Sequence, residues 1–275
     1  MGERSERRVG AARSPADLID VPDVAAALGA AFGAAGYALH LVGGTVRDAV
    51  MGRRSDDLDF ATDARPEEVL RLVEPLSSAT WTTGIEFGTV GAQVGGAMCE
   101  LTTYRADRYD RVGRNPQVVY GESLEDDLRR RDFTINAMAL SVTGDRHFSD
   151  PFGGLADLVK LALRTPATPE ESFADDPLRM LRAARFVATL GVRPAPEVDA
   201  AMTAMAPQLA RVTAERVQAE LTKLLLGTAP RTGIELLVET GLADVVLPEI
   251  PALRMAADEH GQHKDVYAHT LQVLE

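Results

Sequence analysis

Short apolar runs alternate with short amphipathic stretches through the first half of the chain, and this alternation stops in the second half. Residues 37–42 (YALHLV) form an apolar strand ended by Gly43-Gly44, followed by a brief helical stretch with Arg47 and Asp48 that stops at Gly52. A second strand then carries Asp57 and Asp59 with one residue between them. Pro66 opens a helix, PEEVLRLVEPL, whose first-turn acidic residues suit the helix dipole. Residues 87–94 (FGTVGAQV), the turn Gly95-Gly96 and residues 97–104 (AMCELTTY) read as a β-hairpin. Residues 123–131 read as a capped helix, with Asp126 three positions after Ser123 approximating a capping box. From about Pro169 the strand pattern is gone. Leu178, Leu181 and Phe186, then Val217, Leu221, Leu224 and Leu225, recur at helical spacing, and Gly191, Gly227 and Gly241 fall where C-caps would. The expected fold class is therefore α+β: a mixed sheet with helices, followed by an all-helical body.

Composition adds limits. A chain of 275 residues suits two domains of roughly 100–200 residues each. Apolar residues make up 45%, enough for substantial cores, but aromatics only 5%, so those cores must be built from Leu, Val, Ile and Ala. Cys99 is the only cysteine, which excludes an internal disulfide and fits a reducing, cytosolic setting. No apolar run reaches the ~18 residues of a membrane span, and the N-terminus lacks a signal-peptide core. Residues 1–20 are expected to be a disordered tail, 21–160 the sheet-bearing head, 161–255 a helical neck and body, and 256–275 the start of a truncated helical domain. The net charge of −12 argues against a general nucleic-acid coat. Positive charge is nearly all arginine, since Lys160, Lys223 and Lys264 are the only lysines, and arginine is the better bidentate reader of phosphates and bases.

Candidate chemistry centres on Asp57 and Asp59. Residues two apart on a strand share a face, and paired carboxylates beside a glycine turn and a helix N-terminus suit divalent metal and phosphate together. An acidic pair alone is more often a solvated loop edge. Preceded by Gly43, Gly44 and Arg47, it favours phosphoryl or nucleotidyl transfer: the glycines let backbone approach a triphosphate and the arginine forks onto its oxygens. Glu100 on the next strand is either a third carboxylate for metal or proton, or one position of an exposed strand face. Arg131, Asp132 and Asn136 combine phosphate-binding charge with groups able to grip a ribose, against the plain reading of a basic helix terminus. Asp176, Arg179, Arg182 and Arg185 follow at intervals of three, so that Asp176 and Arg179 can present an acceptor and a forked donor to a nucleobase edge. A surface salt bridge is the bland alternative. His260, His263 and His269 lack a completing ligand set and read as ordinary helix residues.

Taken in order, GGTVRD with DLDF, FGTV, ELTTYR, RRDFTINAMAL, DPFGGLADL, DDPLRMLRAARF and VTAERVQAELTKLL make the chain resemble the class II tRNA nucleotidyltransferases, the CCA-adding branch of the poly(A) polymerase head-domain family. The resemblance implies a nucleotidyltransferase-fold head and a helical neck and body that hold a tRNA 3′ end. It implies Mg2+ on Asp57 and Asp59, and CTP and ATP as substrates. Gly44 and Arg47 match triphosphate-binding positions, and Arg131 and Asp132 match contacts to the nucleotide and its ribose. Asp176 and Arg179 match the base-reading pair, Arg182 and Arg185 match further nucleotide contacts, and residues 150–157 match a flexible element coupled to the switch from C to A addition. Asp175 stands where the family usually has Glu. Ile85 and Glu86 stand where bacterial poly(A) polymerases carry a basic signature, which favours CCA addition over poly(A) synthesis; partial (CC- or A-only) addition on the same scaffold stays open. A catalytically silent RNA-binding relic is the reading from another class, and it predicts loss of a carboxylate. The ending HKDVYAHTL resembles the start of an HD-type domain without its later ligands.

Overall fold

The computed structural model describes residues 15–55, 57–106, 119–120, 123–255 and 266–274. His260 and His263, and residues 1–14 of the tail expected to be disordered over 1–20, lie outside them. Residues 15–20 depart from that expectation, with a short helix at Pro15–Leu18 and Ala16 and Ile19 buried. His269 is exposed on the helix Val266–Val273. Among the described residues no helix is long and apolar enough to cross a membrane. The chain divides into two compact units, Met1–Asp127 with Met138–Asp150, and Leu128–Ala137 with Pro151–Glu275.

The first unit is a mixed seven-stranded sheet with helices, so the fold class is α+β. In chain order its main elements are α1 (Asp23–Ala34), β1 (Leu39–Val42), α2 (Gly43–Val50), β2 (Asp57–Thr62), α3 (Pro66–Val73), β3 (Ser77–Trp81), β4 (Thr89–Val94), β5 (Ala97–Thr103), β6 (Ala139–Ser141) and β7 (Phe148–Ser149). The strands lie in the order β3-β4-β5-β2-β1-β6-β7. β2 and β5 run parallel and the other neighbours antiparallel. Alternation does its work on the central strands. Leu58 and Phe60 of β2 stand beside Cys99 and Leu101 of β5, and all four are buried. The hairpin expected over 87–104 forms as β4 and β5, except that Phe87 belongs to a 3-10 turn, Ile85–Phe87. Pro66 starts α3 as expected, and α3 gives way to a 3-10 turn at Glu74–Leu76. Ser123 Oγ accepts from the Asp126 N–H at 3.2 Å at the start of the helix Leu124–Arg129.

The second unit is helical: α4 (Pro169–Asp175), α5 (Leu178–Leu190), α6 (Pro196–Met205), α7 (Ala214–Leu225), α8 (Pro230–Glu239) and α9 (Leu242–Val246). α7 and α8 pack on α5. Two of the three expected C-cap glycines do adopt left-handed backbone, Gly191 at φ +70° and Gly241 at φ +74°. Gly227 does not; a Cβ there would lie 2.9 Å from the Ala188 carbonyl oxygen, so close packing rather than a turn requires it. The expected division at residue 160 also differs from the observed units. Residues 128–137 belong with the helices because Thr134 N–H donates to the Arg164 carbonyl at 2.8 Å and Thr134 Oγ1 to Asp157 at 2.8 Å.

Candidate active site

In the first unit the candidate chemistry gathers where β1 gives out. The β1–β2 ladder reaches only to Leu41 opposite Phe60. Gly43 then turns the chain at φ +65°, a left-handed conformation that favours glycine, directly into α2. Beyond the ladder, a side chain meets the β2 backbone instead. Thr45 is buried in α2; its Oγ1 accepts from the Asp59 N–H at 2.9 Å and donates to the Asp57 carbonyl at 3.4 Å. Ser55 adds a second hydroxyl bond to the Asp57 carbonyl at 2.8 Å.

This places the acidic pair on one face, with Asp57 exposed, Asp59 half-buried and Leu58 buried between them. Glu100 is the register partner of Asp59 in the parallel β2–β5 ladder and is exposed. Its neighbour Cys99 points the other way, where burial pushes the thiol up to about 11, far from a reactive thiolate. Among the described residues no group of three or more His, Cys, Asp or Glu side chains could hold a metal ion. Asp57 and Asp59 present two hard oxygen ligands on one face of β2. Arg47 donates from Nε and Nη2 to the Asp48 carboxylate at 2.9 and 3.0 Å, which orients its fork. A Cβ on Gly44 would sit 3.5 Å from Arg47 Nη2, an ordinary contact, so packing inside the unit does not demand glycine there.

In the second unit a row of alternating charges lies across α5 and α7. Asp132 is buried; its carboxylate accepts from its neighbour Phe133 N–H at 2.8 Å, Asn136 Nδ2 at 2.9 Å and Arg182 Nε at 2.8 Å. Burial alone would raise its pKa, but the Arg182 charge and these bonds hold it below the usual carboxylate value; Arg182 is correspondingly raised, against its own desolvation. Glu220 of α7, also buried, stands 3.7 Å from Arg182 Nη1 and 3.1 Å from Arg185 Nε. Arg185 lies over the Phe186 ring, which packs edge-on against Phe133. Arg131 is half-buried beside this row.

Asp176 and Arg179 are arranged differently from the expectation. Asp176 is not on the helix: it is the C-cap of α4 in extended backbone (φ −141°, ψ 100°), and Pro177 is the N-cap of α5. Helical spacing therefore does not govern the pair. Asp176 Oδ1 accepts from the Leu178 N–H at 3.2 Å and Oδ2 from Arg216 Nη2 at 2.7 Å. Arg179 donates to Ser172 Oγ at 2.9 Å, the Arg130 carbonyl at 2.7 Å and Asp175 at 3.1 Å. Thr45, Ser172, Arg216 and Glu220 were not singled out from the sequence. Arg216 and Glu220 left one trace there, a spacing of four that puts both charges on one side of α7.

Comparisons with known proteins give the chain its family. A model of the poly A polymerase head domain matches residues 39–164, and one described as a probable RNA and SrmB-binding site of polymerase A matches residues 191–253, together well over half the chain. The chain belongs to the poly A polymerase head-domain family. Within it, the CCA-adding enzyme of Levilactobacillus brevis is 42% identical over 243 residues, a span that covers 86% of this chain and 60% of that protein. The crystal structure of the Bacillus stearothermophilus CCA-adding enzyme in complex with CTP superposes with a TM-score of 0.71 at 37% identity, covering 84% of this chain and 53% of that one. A tRNA nucleotidyltransferase complexed with a primer tRNA and an incoming ATP analog gives a TM-score of 0.69 at 27% identity, with 90% and 74% covered. The chain thus spans little more than half the length of the first two. The head-domain match takes in Asp57, Asp59 and Glu100, and the second match takes in Arg216 and Glu220. Residues 175–186, with Asp176 and Arg179, lie between them.

Proposed function

We propose that this chain is a metal-dependent nucleotidyltransferase that adds CCA to the 3′ end of tRNA from CTP and ATP. One observation carries the reaction type: Asp57 and Asp59 share a face of β2, at the end where Gly43 turns the chain into α2. The substrates come from the relatives, whose names and complexes include CCA addition, CTP, an ATP analog and primer tRNA.

The donor set fits Mg2+. That ion is commonly held by one or two carboxylates together with substrate phosphates and water, and Asp57 and Asp59 present two carboxylates on one face. When bound it would neutralise charge on the triphosphate and sharpen the attacking hydroxyl. The chain's residues do the rest. Gly43 and Gly44 let the start of α2 approach the phosphates, where its N–H groups favour anions. Arg47, oriented by Asp48, adds a fork. The tRNA 3′ oxygen bonds to the α-phosphorus in line, its proton passes to a carboxylate of this face, with Glu100 suitably exposed, and the bond to pyrophosphate breaks. In the second unit Asp176 and Arg179 read the base. The Asp176 carboxylate has about four lone-pair sites; two accept from the protein, so others remain for a base amino group. Arg131, Arg182 and Arg185 supply positive charge for the nucleotide, and Asp132 and Asn136 hold Arg182 in place. The sole cysteine and the tRNA substrate support a cytosolic site of action.

Transfer of labelled CMP from CTP to tRNA lacking CCA, with Mg2+ present, tests the reaction. Asp57→Ala and Asp59→Ala should each lower the rate by roughly a thousandfold or more, since several kcal/mol of charge stabilisation depends on the metal. Wild-type rates in either variant would overturn the mechanism.

A further inference from the structure

Thr45 joins the helix behind the glycine turn to the strand that carries both aspartates. Its hydroxyl bonds run to another element, to the backbone on either side of Leu58, and so fix the peptide segment between Asp57 and Asp59. Here β1 has already left β2, and the hydroxyl stands where the ladder has ended. The residue is buried and its hydroxyl is engaged on both sides, by the Asp59 N–H and the Asp57 carbonyl, so the acceptor is held in place. Neither bond touches a carboxylate, so the effect on chemistry runs through the backbone that aims them.

We propose that Thr45 is the positioning residue of the acidic pair: its hydroxyl pins β2 so that Asp57 and Asp59 keep the spacing a divalent cation needs. This rests on reading the pair as a metal site. A valine of the same shape would leave the Asp59 N–H without its acceptor and free the strand end to shift. Partners that orient metal ligands through a hydrogen bond typically change affinity or activity by about 10–100-fold when removed.

The test compares the wild-type chain with Thr45→Val, Thr45→Ser and Asp57→Ala, after circular dichroism and thermal melts show each folded. Mn2+ binding is followed by paramagnetic resonance, and CMP transfer to tRNA lacking CCA is followed across Mg2+ concentrations. Thr45→Val is expected to weaken Mn2+ binding and raise the half-saturating Mg2+ concentration roughly tenfold, while Thr45→Ser recovers most of both. A Thr45→Val chain with wild-type metal dependence, or Val and Ser variants equally impaired, would overturn the proposal. Should Asp57→Ala bind Mn2+ as the wild type does, the metal-site reading beneath it fails instead.

Discussion

Asp132 is a ligand-binding candidate by sequence and a structural anchor by position. The run RRRD followed by Asn136 suggests groups free to grip a nucleotide. The structure turns the carboxylate inward onto Phe133, Asn136 and Arg182, and Glu220 couples Arg182 to Arg185. No local pattern reveals a bond between residues fifty positions apart, which is why this part of the site could not be read in advance. Asp132→Asn would remove the nearer counter-charge of Arg182, which is about a third exposed and keeps Glu220 at 3.7 Å. The cost should therefore fall below the ~3–5 kcal/mol of breaking a fully buried pair, and urea denaturation should show a clear fall in stability. The pH dependence has a definite sign. Because the folded carboxyl lies below its unfolded value, its contribution is fully present above the unfolded pKa of about 3.9 and is lost as pH falls through the lower folded value. The wild-type chain should lose stability on acidification below about pH 4, and Asp132→Asn should lose less over the same interval.

At the scale of elements, periodicity was a good guide wherever one face is buried. β2, β4, β5 and α3 appear close to their expected places because alternation or helical spacing separates core from surface there. Two kinds of misreading remain, and each has a physical cause. The spacing of three reads Asp176 onto the same helix as Arg179, but Pro177 caps that helix and leaves the residue before it in extended backbone. Gly227 falls where a C-cap would by position, but the approach of the Ala188 carbonyl is what demands glycine. Gly233 in α8 shows the same close packing: a Cβ would lie 3.0 Å from the Ala184 carbonyl oxygen, the Ala188 Cβ and the Leu224 Cγ at once. Gly233→Ala should therefore destabilise by about 1–3 kcal/mol despite alanine's better helix propensity, read as a lower melting temperature. An unchanged or raised melting temperature would show that α5 and α8 yield more readily than this geometry implies.

For the whole molecule, the two-part organisation was legible from the change of period near Pro169, but the course of the chain between the parts was not. The chain enters the second unit at Leu128, returns at Met138 and leaves again after Asp150, a path set by bonds such as Thr134 to Asp157 that no composition shift marks. Chemistry divides in the same way: the acidic pair and glycine turn belong to one unit, and the residues matched to base recognition belong to the other. A net charge of −12 tells little about RNA binding here, because Arg179, Arg182 and Arg185 are drawn into one unit with acidic partners of their own. The claim that joins the two units is that carboxylates on one perform a transfer whose nucleotide the other selects. The most direct test incubates the chain with Mg2+ and tRNA lacking CCA, supplied with CTP alone, ATP alone or both, and sequences the 3′ ends. The account predicts ends in CC with CTP alone, CCA with both, and no tail with ATP alone; A-tails grown from ATP alone, or unextended tRNA with both nucleotides, would contradict it.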